Sequence, residues 1–300
     1  MKYVHDYLAQ AEYFAPRGKK RLLLLGAMLQ QRYICPEDRL IGVLGDAGAG
    51  KSLLIRGMFP GLELSNDHEA IYTRPLPLLA DYEGGNFRRQ SYHLDVLFES
   101  AFTQPWLLAE AVNKAVLAGR RVVIEHFELL YPLLGFNAEV LIGIGEEIII
   151  ARPTILGPEP DTLARIVFES LRYRRMAHSA EDLTALILAG MPAALPAAHR
   201  AVRHGFVLEF PEKPDFDCSQ LEEQVQALIQ ADLAIAYLDE EHIRIGDTPL
   251  PCAGPGLHIR RTGQITGFCF HKEFHYDPLR RLYVLLGVLE QENRLEQENR

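Results

Sequence analysis

Leu40-Ile41-Gly42-Val43-Leu44-Gly45-Asp46-Ala47-Gly48-Ala49-Gly50-Lys51-Ser52 is the stretch on which the fold turns. Its first five residues are apolar and read as a buried strand. Gly45 to Gly50 reads as a glycine-rich turn, and Lys51 to Met58 as a helix stopped by Pro60-Gly61. Gly-x-x-x-x-Gly-Lys-Ser between a strand and a helix is the pattern of a phosphate-binding loop. Consecutive backbone N–H groups and the helix N-terminus point at an anion, and only glycine permits so close an approach. Gly45, Asp46, Ala47, Gly48, Ala49, Gly50, Lys51 and Ser52 are therefore expected to hold a nucleoside triphosphate. Lys51 would neutralise β- and γ-phosphate oxygens, and the Ser52 hydroxyl would ligate Mg2+.

Outward from that stretch, Lys19 to Tyr33 carries apolar residues at helical spacing, and Pro36-Glu37-Asp38 breaks it before the strand. Downstream, Trp106 to Leu117 reads as a helix ended by Gly119. Arg121 to Glu125 reads as a buried strand, and Glu146 to Ala151 as another. Alternating strand and helix predicts an α/β P-loop NTPase domain with a mostly parallel sheet and its ligand at the carboxyl ends of the strands. Catalysis needs an acid near the metal or the attacking water. Glu125, at a strand end, is the candidate, against the alternative of a carboxylate serving only solubility. Asp95 is a second candidate for the metal shell. Asn113-Lys114 is followed by Ala115-Val116, so the Asn-Lys-x-Asp base-reading motif of common GTPases is missing and ATP is the expected nucleotide.

The proline-rich run Arg152 to Pro160 interrupts the pattern. It divides the chain into a domain over residues 1–152, a linker over 153–160, a second domain over 161–285 and a polar tail over 286–300. The second domain is expected to be α+β. It has a helix around Asp161 to Ala189, a strand at Gly205 to Phe210 and a helix at Ser219 to Ala231. Strand-like segments follow at Leu233 to Tyr237, His242 to Ile245 and Gln264 to Lys272. The last twelve residues repeat Leu-Glu-Gln-Glu-Asn-Arg twice, too short for a coiled coil and expected to form a solvated helical extension.

Composition is that of an ordinary globular chain: 300 residues, 48% hydrophobic and 24% charged, leaving room for two domains. A net charge of -9 disfavours a nonspecific coat on nucleic acid, which needs clustered Lys and Arg, while allowing a local basic patch. The four cysteines, Cys35, Cys218, Cys252 and Cys269, lie far apart, against a disulfide scaffold and for a reducing compartment. Met1 to Asp6 lacks the features of a secretory signal. The most apolar stretches, Arg21 to Leu29 and Val140 to Ala151, are too short or too charge-flanked to cross a hydrocarbon core of about 30 Å. The expected location is cytoplasmic, with no membrane partner.

In the second half, His178-Ser179-Ala180-Glu181-Asp182 lies in a helix and Cys252 to His258 in a loop. Four residues apart on a helix, His178 and Asp182 share a face at about 5–6 Å between Cβ atoms. With Cys252 and His258 they offer four ligands of mixed N, S and O character, a set that suits zinc. Packed or solvated side chains are the alternative.

Two resemblances add to these readings. Pro36 to Ser52 looks like the small ATPase TsaE of tRNA threonylcarbamoyladenosine synthesis. Tyr92-His93-Leu94-Asp95 resembles that family's Tyr-His-Phe-Asp block, and Ile124-Glu125-His126-Phe127 its Ile-Glu-Trp-Pro block. The likeness covers about residues 18 to 152, and Thr73-Arg74-Pro75 is the stretch nearest the family's Ser-Pro-Thr switch. It implies that Asp95, Glu125 and Lys51 serve catalysis. About residues 165 to 275 resemble the second additional domain of alanyl-tRNA synthetase and its free-standing, AlaX-like editing relatives, whose pattern is His-x-x-x-His and later Cys-x-x-x-His. Gly246 to Cys252 and His258 to Ile265 resemble the segments around that family's Cys-Gly-Gly-Thr-His. Asp182 stands at the second histidine, and the Cys252 to His258 interval is two residues longer. Two outcomes follow: a shifted zinc site, or loss of zinc.

Together the resemblances imply an ATP-binding protein that acts as an ATPase, a hydrolase. It would be coupled to an editing-like deacylase domain acting on aminoacyl-tRNA, with protein partners in tRNA metabolism. Arg172, Arg174, Arg175, Arg260 and Arg261 are candidates for tRNA phosphate contacts, against ordinary surface charge. A nucleotide-switched, noncatalytic tRNA or aminoacyl sensing module is the alternative, and a small-molecule kinase a third reading.

Overall fold

A computed structural model describes residues 8–67, 75–191, 195–254 and 256–289. Thr73-Arg74 and the tail over 290–300 lie outside the described residues. The chain forms two compact units. One comprises the residues up to Ala15 and Lys20–Ser170, the other Pro16–Lys19 and Leu171 onward. The chain therefore lends four residues, Pro16–Lys19, to the second unit before returning to the first.

The first unit is an α/β layer. Its elements run β1 (Gln10–Phe14), α1 (Lys19–Tyr33), β2 (Leu40–Leu44), α2 (Lys51–Met58), α3 (Pro77–Glu83), β3 (Ser91–Asp95) and α4 (Val96–Glu99). They continue with α5 (Pro105–Leu117), β4 (Arg121–Glu125), α6 (Phe127–Leu134), β5 (Val140–Ile144) and β6 (Glu147–Ala151). Strand order is β1-β6-β5-β2-β4-β3. β2, β3, β4 and β5 are parallel, while β6 and β1 add an antiparallel edge. Every residue of β2 and β5 is buried, as a sheet covered on both faces requires. The Val140 to Ala151 stretch is thus two strands turning at Gly145-Glu146, with the first of them parallel to β2.

Register decides where the chemistry falls. Asp95 is paired with Glu125, and Glu125 with Val43, so three strand ends and the Gly45–Ser52 loop meet at one edge. Helix α2, which carries Lys51 and Ser52, packs backbone to backbone on α1. A Cβ on Gly57 would lie 2.2 Å from the Leu23 carbonyl oxygen, and one on Gly26 2.4 Å from that of Leu54.

α7 (Pro160–Leu188) is one helix of 29 residues. Leu163, Ala164 and Val167 belong to the core of the first unit, and Met176, Ala177, Ala180 and Leu183 to that of the second. The second unit continues with β7 (Ala198–Val202), β8 (Gly205–Phe210), α8 (Cys218–Gln230), β9 (Ile235–Tyr237), β10 (His242–Ile245) and β11 (Thr248–Pro251). A 3-10 turn at Thr262–Gln264 precedes β12 (Phe268–Phe270), β13 (His275–Asp277) and β14 (Leu282–Leu289). All its pairings are antiparallel: a sheet ordered β12-β14-β8-β7, with β13 on β14, and a smaller β11-β10-β9 ribbon. The mixture of helix and strand in this half is as expected, with two differences. Gln264 to Lys272 holds only a three-residue strand, and residues 286–289 finish a central strand instead of opening a polar tail. Leu285, Gly287 and Leu289 are buried alternately along β14.

Among the described residues, no helix is long and apolar enough to cross a membrane.

Candidate functional site

At the carboxyl edge of the first sheet, Gly45, Gly48 and Gly50 all have positive φ, at 154°, 76° and 104°. Space excludes a side chain at Gly45 as well, where a Cβ would lie 2.7 Å from the Ile144 carbonyl oxygen, while one on Gly50 would push on the Leu22 Cδ1 methyl at 2.9 Å. The loop closes on Lys51, only 6% exposed, whose ammonium donates to the carbonyls of Gly45 (3.0 Å) and Asp46 (3.2 Å) and lies 3.8 Å from Glu125 Oε2. The Ser52 hydroxyl donates to Glu125 Oε1 at 2.8 Å.

Glu125 is 2% exposed. Burial alone would push its carboxyl up, but His93, Lys51 and Ser52 outweigh that and hold it below its ordinary value. The Ser65 backbone N–H donates to His93 Nδ1 at 2.9 Å, which makes Nδ1 the acceptor and leaves the proton on Nε2. Nε2 lies 3.3 Å from Glu125 Oε1 without hydrogen-bond alignment, so the contact is electrostatic. Asp95 completes the edge. Its Oδ2 accepts from Asn66 Nδ2 (2.8 Å), its Oδ1 accepts from the Phe98 N–H (3.0 Å) to cap α4, and its own N–H donates to Ser65 Oγ (2.8 Å). Asn66 Nδ2 also lies 3.4 Å from Ser52 Oγ. All the residues expected here, Lys51, Ser52, Asp95 and Glu125, are thus brought together. The linking residues Ser65, Asn66 and His93 carried no role in the sequence reading, because Ser65-Asn66-Asp67 has the composition of any loop.

In the second unit, α7 presents His178, Glu181 and Asp182. Cys252 follows β11, its N–H donating to the Glu241 carbonyl at 2.7 Å, and the Ile259 N–H reaches Ser179 Oγ at 3.3 Å, which ties the loop to the helix. Asp182, Cys252 and His258 offer ligand atoms all within 4.8 Å of one another; His178 is not in that group. Asp182 Oδ2 and His258 Nε2 are 2.6 Å apart, and Cys252 Sγ is 3.8 Å from the same nitrogen. Burial lowers His258, but Asp182 and Cys252 outweigh it and raise it to about 9. Burial raises Asp182, yet Arg17 and His258 bring it down. His178, 3% exposed, has no hydrogen-bond partner on either ring nitrogen among the described residues, and burial first, then Arg17, Arg174 and His258, push it well below its ordinary value.

The centre of the cluster is taken by Arg17. Its Nη2 donates to Asp182 Oδ2 and to Cys252 Sγ (3.0 Å) and lies 3.5 Å from His258 Nε2, while Nη1 lies 3.2 Å from Glu181 Oε2. Oxygen and nitrogen ligands sharing a tetrahedral zinc stand about 3.3 Å apart, given metal bonds of about 2.0–2.1 Å. The direct 2.6 Å contact of Asp182 and His258 is closer than that. As placed, these donors hold one another and a guanidinium, and do not fit a shared metal ion. Sequence spacing gave no sign of Arg17.

Of the arginines considered for tRNA, Arg174 is buried and donates to the Pro16 carbonyl, and Arg261 is engaged by Asp232. Arg172 stacks over Tyr173 at 4.6 Å and, like Arg260, is exposed. No protein-family model matches the chain, and no curated protein matches it either.

Proposed function

We propose that the first unit is a P-loop NTPase domain that binds ATP with Mg2+ at Gly45–Ser52 and hydrolyses it. The observation that carries this is the edge where Glu125 meets Ser52 at 2.8 Å and Lys51 at 3.8 Å with Asp95 beside it, behind a loop in which Gly45, Gly48 and Gly50 all take positive φ. Bound Mg2+ would offset the charge on the phosphates. Lys51, which spans the loop carbonyls, turns to the phosphates. Ser52 offers its hydroxyl to the ion, and Glu125, kept ionised by its neighbours, orients or deprotonates the attacking water. Asp95 is the second acid, positioned by Asn66. The test is phosphate release from ATP and from GTP by the whole chain and by Lys51→Ala. Release from ATP that depends on Lys51 supports the reading; none with either nucleotide overturns it.

For the second unit we propose noncatalytic engagement of tRNA or an aminoacyl end, with nucleotide state setting engagement or release. The guanidinium among Asp182, Cys252 and His258 favours this over deacylation. One observation favours deacylation instead: the buried His178, whose unpartnered ring nitrogens have the character of an unused ligand. A panel of mischarged tRNAs with ATP, ADP or no nucleotide separates the two. Nucleotide-dependent binding without loss of the amino acid supports sensing, and loss of the amino acid supports deacylation.

A further inference from the structure

We infer that Arg17 is a built-in plug that competes with a divalent metal ion for the Asp182-Cys252-His258 cluster. One nitrogen of its guanidinium touches the ligand atom of each of the three residues. A cation bound to those same three atoms at metal-ligand distance would overlap that nitrogen, so the two occupants exclude each other. The plug is also built in. Glu181 takes the other guanidinium nitrogen, the Pro16 carbonyl beside it accepts from Arg174, and a Cβ on Gly254 would press on Arg17 Cγ at 3.3 Å. The guanidinium and its two carboxylates, Glu181 and Asp182, are all largely buried, with side chains 11%, 9% and 6% exposed. Expelling a buried, doubly paired guanidinium is costly, so the wild-type chain takes up metal poorly.

Remove the guanidinium and the balance reverses. Asp182, Cys252 and His258 then keep their places without the guanidinium among them, a sulfur-nitrogen-oxygen donor set of the kind that holds zinc or cobalt(II) once its protons are given up to solvent. His178, one helical turn from Asp182 and without a hydrogen-bond partner among the described residues, lies outside the three-ligand group and would join it only by moving. Arg17 therefore decides whether this cluster is a metal centre.

The experiment is a titration of the full chain, wild type and Arg17→Ala, with cobalt(II) and with zinc, followed by the thiolate-to-cobalt charge-transfer absorption and by elemental analysis after desalting. Arg17→Ala is expected to bind one ion on the order of a hundredfold more tightly than wild type. The absorption should vanish in Arg17→Ala/Cys252→Ser. Millimolar free guanidinium should displace cobalt(II) from Arg17→Ala by refilling the plug's place. Wild type binding metal as tightly as Arg17→Ala would overturn the inference, and so would an Arg17→Ala chain with an intact melting transition that binds none. Should Arg17→Ala fail to fold, the wild-type titration decides alone: stoichiometric cobalt(II) with thiolate absorption refutes the plug, and its absence at equimolar metal supports it.

Discussion

Replacing Glu125 with Gln removes one charge from the edge of the first sheet while keeping shape and volume. Oε1 now accepts from Ser52 and faces His93 Nε2 at 3.3 Å, and an amide oxygen can keep both. What is lost is the negative charge 3.8 Å from Lys51 Nζ, and Lys51 retains the carbonyls of Gly45 and Asp46. The fold should therefore lose only about 1–3 kcal/mol, the range for an imperfectly replaced buried hydrogen-bonded charge. Chemistry should suffer more, because an amide neither accepts a proton nor orients water as a carboxylate does: kcat for ATP should fall about 10²–10⁴-fold. Affinity should move the other way or not at all, since Glu125 competes with the phosphates for Lys51. Phosphate release at saturating ATP gives kcat, and calorimetric titration with ATP and Mg2+ gives Kd. A kcat within about threefold of wild type would refute the role assigned to Glu125. A Kd weakened more than about tenfold would make Glu125 a support of the loop instead.

Lys51→Ala should weaken ATP binding about 10–100-fold, the worth of a charge-assisted contact, as read by the same titration. Gly57→Ala forces a methyl to within 2.2 Å of the Leu23 carbonyl oxygen, between two backbones that cannot yield cheaply. It should cost about 3 kcal/mol, seen as a lower urea midpoint, and reduce nucleotide affinity through the displaced α2. The acid limb of stability should report Glu125. A folded pKa held below the ordinary 4.5 means that its contribution is complete above that value and is lost as pH falls through the lower, folded one. Glu125→Gln should flatten that limb in a melting series from pH 6 to pH 3, and an unchanged limb would show that the ionised Glu125 does not stabilise the fold.

How much of this was legible in the sequence depends on how local each signal is. The Gly45–Ser52 loop was readable because its glycines answer to φ values fixed within eight residues. Glu125 was readable as a strand-end acid and Asp95 only as a metal-shell candidate in its block; the strand that ends at Asp95 and its parallel register then place the two side by side. β14 was passed over although its buried positions alternate, because a polar repeat follows directly and drew the boundary too early. Asn66 and His93 could not be assigned, since their roles come from contacts with Ser52, Asp95 and Glu125 across the sheet edge.

Arg17 is the extreme case. It meets Asp182 across 165 residues and Cys252 across 235, and nothing in Ala15-Pro16-Arg17-Gly18-Lys19 distinguishes it from a surface loop. Sequence alone named the three residues that surround it, because ligand types a few residues apart in a helix and in a loop are local patterns. It said nothing of what they surround. A set of donors defines a preference for positive charge, and that preference is met equally by a metal ion or by a guanidinium delivered from elsewhere in the chain. The residue types around a centre therefore fix its sign, and only the fold fixes its occupant.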